Sequence, residues 1–391
     1  MKILITGQGA ISTLGQNVPE HIDALLNART GIKQGTRDYS KSTLVGEVPG
    51  LKKDLIEKHQ LLARGSRTTL FGAIAAKEAF AQHSIDTRIK TGVISGTSVG
   101  GMDLSEIIYR DMQVDSNSNI SLFANHPSGD STEQIAQELG ILGYTNTIST
   151  ACSSASNAII MGARMIQQGL LDRVVVGGTD ALSEFTIAGF KSLMIYDSEW
   201  CKPFDENRKG LNLGEGAGFL VLKSKKSNSI SKAPILGVLK GWGSTSDAYH
   251  QTASSPEGVG AQLAMVEALK MANISAHQID YLNAHGTATP NNDLTESKAI
   301  KHVFGENIPP FSSTKPQTGH TLAACGGIEA IFCLIALDKQ MVLPNLNCQN
   351  TIIETDLIPV KRLESNHNIR HVMSNNFGFG GNCTTLIFEK A

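Results

Sequence analysis

Short apolar runs rich in β-branched residues alternate along the chain with longer segments whose apolar positions recur at helical spacing. The runs that predict buried strands are 2–6, 91–96, 147–151, 172–178, 218–223, 235–242, 279–285, 371–376 and 384–389. Residues 70–85 and 260–274 have the apolar spacing of helices. Continuous apolar strands that alternate with helices are typical of sheets covered on both faces. The pattern therefore predicts an α/β protein.

The chain repeats its own pattern on either side of a polar segment at 223–234. The paired segments are 2–15 with 235–248, 77–85 with 266–274, 93–98 with 283–288, and 149–152 with 312–315. The last pair is offset by fewer residues than the third, which places an insertion of about 26 residues between positions 98 and 149. We therefore predict two duplicated βαβ halves, at 1–230 and 231–391, with the insertion in the first half.

The composition excludes several functional classes. With a net charge of -2, the chain has no excess of basic residues for binding nucleic acid or an anionic membrane surface. No apolar run approaches the roughly 20 residues that a membrane-spanning helix needs, and the first residues predict a strand rather than a signal peptide. The 6 cysteines include no CxxC pair, so we expect no zinc site and a reduced, cytoplasmic setting.

Cys152 stands where a predicted strand gives way to a helix predicted over 153–168. At a helix N-terminus, free amide N–H groups and the helix dipole stabilise a thiolate and lower the pKa of the thiol. The position therefore suits a nucleophile. A buried, inert thiol is the alternative that this segment leaves open.

Three other segments place reactive or glycine-rich groups at predicted strand ends. His285 ends the strand 279–285 and is followed by glycine. Lys315 follows a strand end of the second half, and His320 comes five residues later, before a helix rich in small residues. Residues 374–382 form a strand that runs into a glycine-rich turn. Matching strand ends of a duplicated fold face each other, so we expect the thiol, both imidazoles and the ammonium group to meet in one site.

The order and spacing of these motifs resemble those of the β-ketoacyl-[acyl carrier protein] synthases of type II fatty-acid synthesis, within the thiolase superfamily. The resemblance implies a thiolase-like α/β fold, in which two duplicated βαβ halves form a layered α-β-α-β-α sandwich. It also implies a condensing enzyme that takes an acyl group from acyl carrier protein. The enzyme would extend this group by two carbons, through decarboxylative Claisen condensation with malonyl-acyl carrier protein, in fatty-acid or polyene and polyketide biosynthesis.

The resemblance implies roles for four catalytic residues. Cys152 would attack the acyl thioester and hold the acyl chain. The backbone N–H groups of Cys152 and Phe379 would form the oxyanion hole for that step. His285 and His320, as neutral donors, would stabilise the enolate that forms when malonyl thioester loses CO2.

The resemblance also implies residues that support the reaction. Lys315 would stay charged and orient the site, with Glu329 as its ion-pair partner. Four residues match family positions that contact substrate in the pantetheine tunnel or the acyl pocket: Thr287, Thr289, Val99 and Phe377. No metal or organic cofactor is implied, because the loss of CO2 drives the formation of the carbon–carbon bond.

Two kinds of protein partner are implied. Carrier proteins are acidic, so we expect a basic patch near the tunnel mouth, with Arg64 and Arg67 as candidates. The family is dimeric, and this chain is expected to pair with itself or with a related synthase chain. Residues 125–134 of the insertion are unusually polar for the family, which predicts an unsaturated, aryl-capped or keto-bearing substrate.

Three alternatives remain open. Residues 96–100 match the G-x-S-x-G elbow of serine hydrolases, with Ser98 as the nucleophile. A thiolase would need a second cysteine in the last glycine-rich loop, where Phe377 and Phe379 stand. A non-condensing partner subunit of the chain-length-factor kind typically lacks the active-site cysteine, whereas this chain has Cys152.

Overall fold

The structure is a computed structural model, and it describes residues 2–51, 65–114, 120–230 and 232–391. Its strands are β1 (Ile3–Ser12), β2 (Lys33–Gln34), β3 (Leu44–Val45), β4 (Thr91–Gly96), β5 (Thr145–Ile148), β6 (Arg173–Asp180), β7 (Gly216–Ser224), β8 (Gly237–Ser246), β9 (Tyr281–Asn283), β10 (Phe311–Ser312), β11 (His371–Gly378) and β12 (Asn382–Glu389). Its helices are α1 (Val18–Leu26), α2 (Arg67–Phe80), α3 (Met102–Val114), α4 (Ser128–Glu138), α5 (Ser154–Gln167), α6 (Glu184–Ser192), α7 (Lys225–Ile230), α8 (Val259–Ala272), α9 (Pro290–Phe304), α10 (Lys315–Thr318) and α11 (Cys325–Lys339).

The strand order repeats itself around the centre of one mixed sheet. The full order is β10-β9-β11-β12-β8-β1-β7-β6-β4-β5. Outward from the centre, one half is β1-β7-β6-β4-β5 and the other is β8-β12-β11-β9-β10, so each strand has a counterpart at the same place. The halves join through a short antiparallel contact between β1 and β8, in which Ile3 pairs with Leu239. The strand order therefore has the duplicated pattern that the sequence predicts.

Helices form three layers around the two halves of the sheet. α5 and α11 lie between the halves, because α11 contacts β6 and β7 of the first half and β11 and β12 of the second. α2 packs on β1, β6 and β7 of the first half, and α8 packs on β8, β11 and β12 of the second. The predicted α-β-α-β-α sandwich is confirmed.

The apolar surface of α11 explains its central position. Ile328, Ile331 and Leu334 are buried, and full burial of a side chain of this size stabilises the fold by about 1.5–3 kcal/mol. The close approach of α11 to β7 requires glycine, since a Cβ on Gly327 would lie 2.2 Å from the carbonyl oxygen of Gly218. These two glycines therefore allow the helix to pack against the strand.

The structure differs from the predicted elements at several ends. The strand predicted over 147–151 is β5, which ends at Ile148. In the first half, β4 and β5 are joined by α3 and α4, whereas α9 alone joins their counterparts β9 and β10. The first half therefore has one helix more than the second at this place, within the span 98–149 where the sequence predicts an insertion. Across the parts of the chain that the structure describes, no helix combines the length and apolar character of a membrane span.

Candidate active site

Cys152 lies in the turn between β5 and α5, with a buried side chain. The Ser154 hydroxyl closes this turn, because it accepts from the Thr150 amide at 2.9 Å and donates to the Ala151 carbonyl at 2.6 Å. The end of β11 approaches the same turn. A Cβ on Gly378 would lie 2.7 Å from the Thr150 carbonyl oxygen and 3.2 Å from the Cys152 nitrogen. Glycine at this position therefore lets the last loop reach the thiol.

The surroundings of Cys152 favour the protonated thiol. Burial raises its pKa to about 12, although the positive charge of Lys315 and the amide N–H groups of Cys152 and Phe379 act in the opposite direction. The expectation that the helix N-terminus lowers this pKa is wrong, because the loss of hydration outweighs the nearby donors and positive charge. The same amide contacts place the Phe379 backbone N–H beside the sulfur.

Alkylation of Cys152 is expected to depend steeply on pH. With a pKa raised to about 12, the thiolate fraction grows roughly tenfold for each pH unit between 7 and 10. Peptide mapping after limiting iodoacetamide measures this dependence. Cys201 is a suitable comparison, because burial also raises its pKa to about 12, yet it does not line the cavity described below. We expect slower labelling there. A Cys152 labelling rate that levels off below pH 8 would contradict the raised pKa.

His285 and His320 face the thiol. One nitrogen of each ring and the Cys152 sulfur lie within 4.8 Å of one another. The Leu322 amide donates to His320 Nδ1 at 3.1 Å, and Lys315 Nζ lies 3.3 Å from His285 Nδ1. Both Nδ1 atoms therefore accept, which leaves the proton of each neutral ring on Nε2. Burial, reinforced by the charge of Lys315, holds the pKa of both rings well below the usual value, so each ring is a neutral donor.

Lys315 contacts both the ring and the backbone of His285. Its Nζ donates to the His285 carbonyl at 2.5 Å and to Glu329 Oε1 at 2.8 Å. Burial alone would lower the pKa of Lys315, but the Glu329 carboxylate raises it, so the ammonium group is retained. Both side chains of this ion pair are almost fully buried, at 1% and 3% exposure. Loss of either partner would leave an uncompensated charge in the interior.

Glu296 is a buried residue next to the site that the sequence pattern does not single out. It lies on α9, and its carboxylate accepts from the amides of His285 and Gly286, both at 2.8 Å. Burial raises the pKa of Glu296 to about 7. The contacts fix the turn that presents His285. A glutamate within a helix gives no sequence signal for this function.

Asp180 is a second carboxyl group missed from the sequence. It ends β6 and accepts from the Thr97 hydroxyl at 2.5 Å and the Ala323 amide at 2.8 Å. Burial raises its pKa to about 6. Asp180 thereby ties the turn after β4 to the loop that carries His320. The sequence signal that could have identified Asp180 is an acidic residue close behind the predicted apolar strand 172–178.

A cavity of about 310 Å³ opens from the thiol and the imidazoles. The predicted site residues in its walls are Cys152, His285, His320, Phe379, Thr287, Thr289 and Phe377. The hydroxyls of Thr287 and Thr289 lie 2.9 Å apart, and the Phe379 ring stacks on Phe190 with centroids 5.9 Å apart. The hydroxyl groups of Thr287 and Thr289 and the thiol of Cys152 therefore lie along the same cavity.

Two predicted contacts lie outside this cavity. Val99 does not line it but packs against an apolar cluster that includes Leu182 and Leu211, and Leu211 is itself in the cavity wall; the place of Val99 in an acyl pocket stays a prediction. The Arg67 guanidinium forms an ion pair with the buried Glu215 carboxylate. Glu215 also pairs with Arg37, so one carboxylate faces two guanidinium groups and a basic patch at Arg67 stays a prediction. Arg64 lies outside the described residues.

Several side chains of the polar segment 125–134 form hydrogen bonds within the segment or with neighbouring residues. Asp130 accepts from the side-chain amides of Asn125 and Gln134, at 3.1 and 2.6 Å. None of the residues in this segment lines the cavity. The unsaturated, aryl-capped or keto-bearing substrate that this segment predicts therefore stays a prediction. Cys383, by contrast, is buried in the cavity wall.

The geometry also bears on the alternatives and on metal binding. Ser98 is exposed, its amide donates to Asp180 at 3.1 Å, and it does not line the cavity, so a hydrolase site at Ser98 is not supported. Cys152, His285 and His320 are side chains of metal-ligating types. A cation is disfavoured there for two reasons. Lys315 is positively charged, and cysteine binds a metal as the thiolate, whereas the surroundings of Cys152 favour the protonated thiol.

The comparisons with known proteins agree with this site. Residues 1–228 match the family model "Beta-ketoacyl synthase, N-terminal domain", and residues 236–349 match "Beta-ketoacyl synthase, C-terminal domain". The chain is 36% identical over 407 residues to 3-oxoacyl-[acyl-carrier-protein] synthase 2 of Staphylococcus aureus (strain MRSA252), covering 100% of this chain and 98% of that protein.

Two solved structures extend the similarity to the fold. One is described as the ishigamide ketosynthase/chain length factor; its TM-score is 0.93 at 28% identity, over 100% of this chain and 99% of that chain. The other is a type II polyketide synthase acyl-carrier protein in complex with its ketosynthase, with a TM-score of 0.89 at 25% identity, over 100% and 99%. With its Cys152–His285–His320 constellation, the chain belongs to the beta-ketoacyl synthase family, the decarboxylating condensing enzymes of fatty-acid and polyketide synthesis.

Proposed function

We propose that this chain transfers an acyl group from an acyl carrier protein to Cys152 and extends it by two carbons with malonyl-acyl carrier protein. One observation carries the proposal: a buried thiol and two neutral imidazole donors converge within 4.8 Å beside one cavity. The thiol supplies a covalent nucleophile, and the imidazoles supply donors for developing negative charge.

In the first half-reaction, the Cys152 sulfur attacks the carbonyl carbon of the acyl thioester. The bond to the carrier's sulfur breaks, and the carrier thiol leaves with the proton that the cysteine gives up. The amides of Cys152 and Phe379, which oppose the rise in the pKa of the thiol, donate to the carbonyl oxygen as it becomes negative. Because burial raises the pKa of this thiol, the thiolate has to form within the site, where the charge of Lys315 stabilises it.

In the second half-reaction, the thioester carbonyl of the malonyl group accepts from Nε2 of His285 and of His320. The bond to the carboxylate breaks, CO2 leaves, and the electron pair of that bond forms an enolate that the two donors stabilise. The enolate carbon attacks the acyl carbonyl on Cys152. The carbon–sulfur bond then breaks with its electron pair on sulfur, which takes up a proton from water and becomes the thiol again as the 3-oxoacyl product leaves on the carrier.

The acyl donor is proposed to be a carrier protein that docks at the mouth of the cavity. The Staphylococcus aureus relative is named for this substrate, and one similar structure holds an acyl-carrier protein. Arg208 donates to the carbonyls of Thr289 and Pro290, at 3.4 and 2.7 Å, and both of these residues line the cavity. Lys209 is exposed beside it. These two cations are further candidates, beside Arg67, for contact with an acidic carrier.

A second chain of the same fold is proposed to complete the assembly, either another copy or a related partner. The similar ishigamide structure is described as a ketosynthase with a chain length factor. β5 forms one end of the described sheet, so its outer edge offers backbone groups to another strand. Sedimentation of the purified chain separates the two cases, because a copy gives a dimer and a required related chain leaves a monomer.

The experiment that tests this function is intact-mass analysis of the chain after incubation with acyl-acyl carrier proteins. The expected mass gain equals the acyl group, and malonyl-acyl carrier protein then removes it with release of CO2 and a product two carbons longer. A panel of saturated and conjugated polyenoyl chains identifies the accepted substrate, and matched pantetheine thioesters measure dependence on the carrier. A non-condensing partner subunit would take up no acyl group, and a thiolase would condense acetyl thioesters without releasing CO2.

A further inference from the structure

Asn375 and Asn376 are consecutive, fully buried residues near the end of β11. Successive side chains of a strand point to opposite faces, and these two serve different carboxylates. Asn375 donates to Glu296 at 3.3 Å, and Asn376 donates to Glu329. Glu296 holds the His285 amide, as described above. The two asparagines therefore support the turn of His285 from opposite faces of the strand.

Asn376 also reaches the helix that follows the nucleophile. Its Oδ1 accepts from the Ser156 hydroxyl of α5 at 2.6 Å. Its Nδ2 lies 3.7 Å from the sulfur of Cys325, whose thiol donates to the Cys152 carbonyl at 3.2 Å. The side chains of these four residues are buried: Asn376, Ser156, Cys325 and Cys152. One amide side chain thus contacts both the glutamate of the ion pair and the start of the nucleophile's helix.

These contacts cross from one half of the fold to the other. α5 and Cys152 belong to the first half, whereas α10, α11 and β11 belong to the second. Condensation requires the enolate carbon and the acyl carbonyl to meet at bonding distance, and small displacements of reacting groups are costly. The link between the halves therefore bears on the alignment of the two reacting groups.

We propose that Asn376 is a positioning residue that holds Glu329, and through it Lys315 and His285, in fixed geometry relative to Cys152. The inference rests on the proposed function, because it concerns the alignment of its two half-reactions. Asn376 does not touch the reacting atoms. It acts through the ion pair on one side and through α5 on the other.

The amide donor also affects the charge of the ion pair. Burial raises the pKa of Glu329, while Lys315 and Asn376 act in the opposite direction. The other titratable groups that interact with this carboxylate are Cys325, Cys333 and Tyr281. Without the Asn376 donor the pKa of Glu329 rises further, so the carboxylate becomes protonated at a higher pH. Lys315 then loses its counter-charge, and the acidic limb of the activity profile moves upward.

The test compares Asn376→Ala and Asn376→Ser with Thr384→Val as the matched control. Thr384 lies opposite Asn376 on β12, and its hydroxyl donates to the backbone carbonyl of Asn376 at 2.9 Å, so this control removes a contact to the backbone of Asn376 and leaves its amide side chain in place. We expect Asn376→Ala to lower kcat for condensation by roughly tenfold, with KM for malonyl-acyl carrier protein within about twofold. The acidic limb of decarboxylation moves to higher pH. Asn376→Ser, whose hydroxyl can donate, recovers part of both effects.

Each outcome decides the matter. An Asn376→Ala enzyme that matches Thr384→Val in kcat and in its acidic limb overturns the inference, while wild-type condensation upholds the proposed function. If Asn376→Ala fails to fold, Asn376→Ser and Ser156→Ala carry the test. Ser156→Ala is expected to lower condensation without moving the acidic limb, because Glu329 keeps its donor; unchanged condensation would overturn the inference. A wild-type chain that neither takes up acyl groups nor decarboxylates malonyl thioester overturns both.

Discussion

Replacing Cys152 by alanine is expected to abolish acyl uptake and to lower the rate of condensation by at least roughly 10³-fold, because the sulfur that forms the thioester is removed. Decarboxylation of malonyl-acyl carrier protein is expected to persist at a measurable rate. The Nε2 donors of His285 and His320 are set by Lys315 and Leu322 rather than by the thiol. Intact mass measures the uptake, and CO2 release measures the decarboxylation.

Cys383→Ala is the matched control for this experiment. Cys383 is a second buried cysteine in the wall of the same cavity, and burial also raises its pKa to about 12. We expect this variant to take up acyl groups as the wild type does. If Cys152→Ala still gained the acyl mass and Cys383→Ala did not, the nucleophile would be Cys383 and the proposal would be contradicted.

Strand prediction succeeded where an apolar run ends sharply. The run 91–96 is β4 in full, because β5 and β6 cover both of its edges and the chain turns directly after Gly96. The prediction of a strand over 147–151 extends three residues too far. A hydrogen bond from the Thr150 amide to the Ser154 hydroxyl closes a turn after Ile148, and the apolar pattern gives no sign of this bond. β10 has only two residues, too few to show the alternation of apolar and polar positions by which a strand is predicted.

The site residues could be predicted because duplication brings strand ends together. Cys152 follows β5, and Lys315 follows β10, the counterpart of β5 in the second half. The charge state of Cys152 could not be predicted in the same way. A sequence shows the helix N-terminus, but the hydration that the thiol loses depends on the whole fold. Glu296 was missed for a related reason, since its partners are the backbone amides of His285 and Gly286, and a contact with a backbone amide leaves no pattern of residue types.

Replacing either His285 or His320 by alanine is expected to lower malonyl decarboxylation by roughly 10²-fold or more. Each substitution removes one preorganised donor to the oxygen that becomes negative in the enolate. Acyl transfer to Cys152 is expected to suffer less, because its oxyanion is stabilised by backbone amides. Single-turnover acylation and CO2 release, measured separately on each variant, resolve the two half-reactions.

His250→Ala is the matched control for the two histidines. His250 lines the same cavity but is exposed, and its Nδ1 accepts from the Thr252 amide at 3.2 Å rather than from a group of the ion pair. Its loss is expected to leave decarboxylation within a few-fold of wild type. A His285→Ala enzyme that decarboxylates malonyl thioester at the wild-type rate would contradict the assigned role. The enolate would then have to be stabilised by His320 alone, and the contact of Lys315 with His285 would serve the fold rather than the reaction.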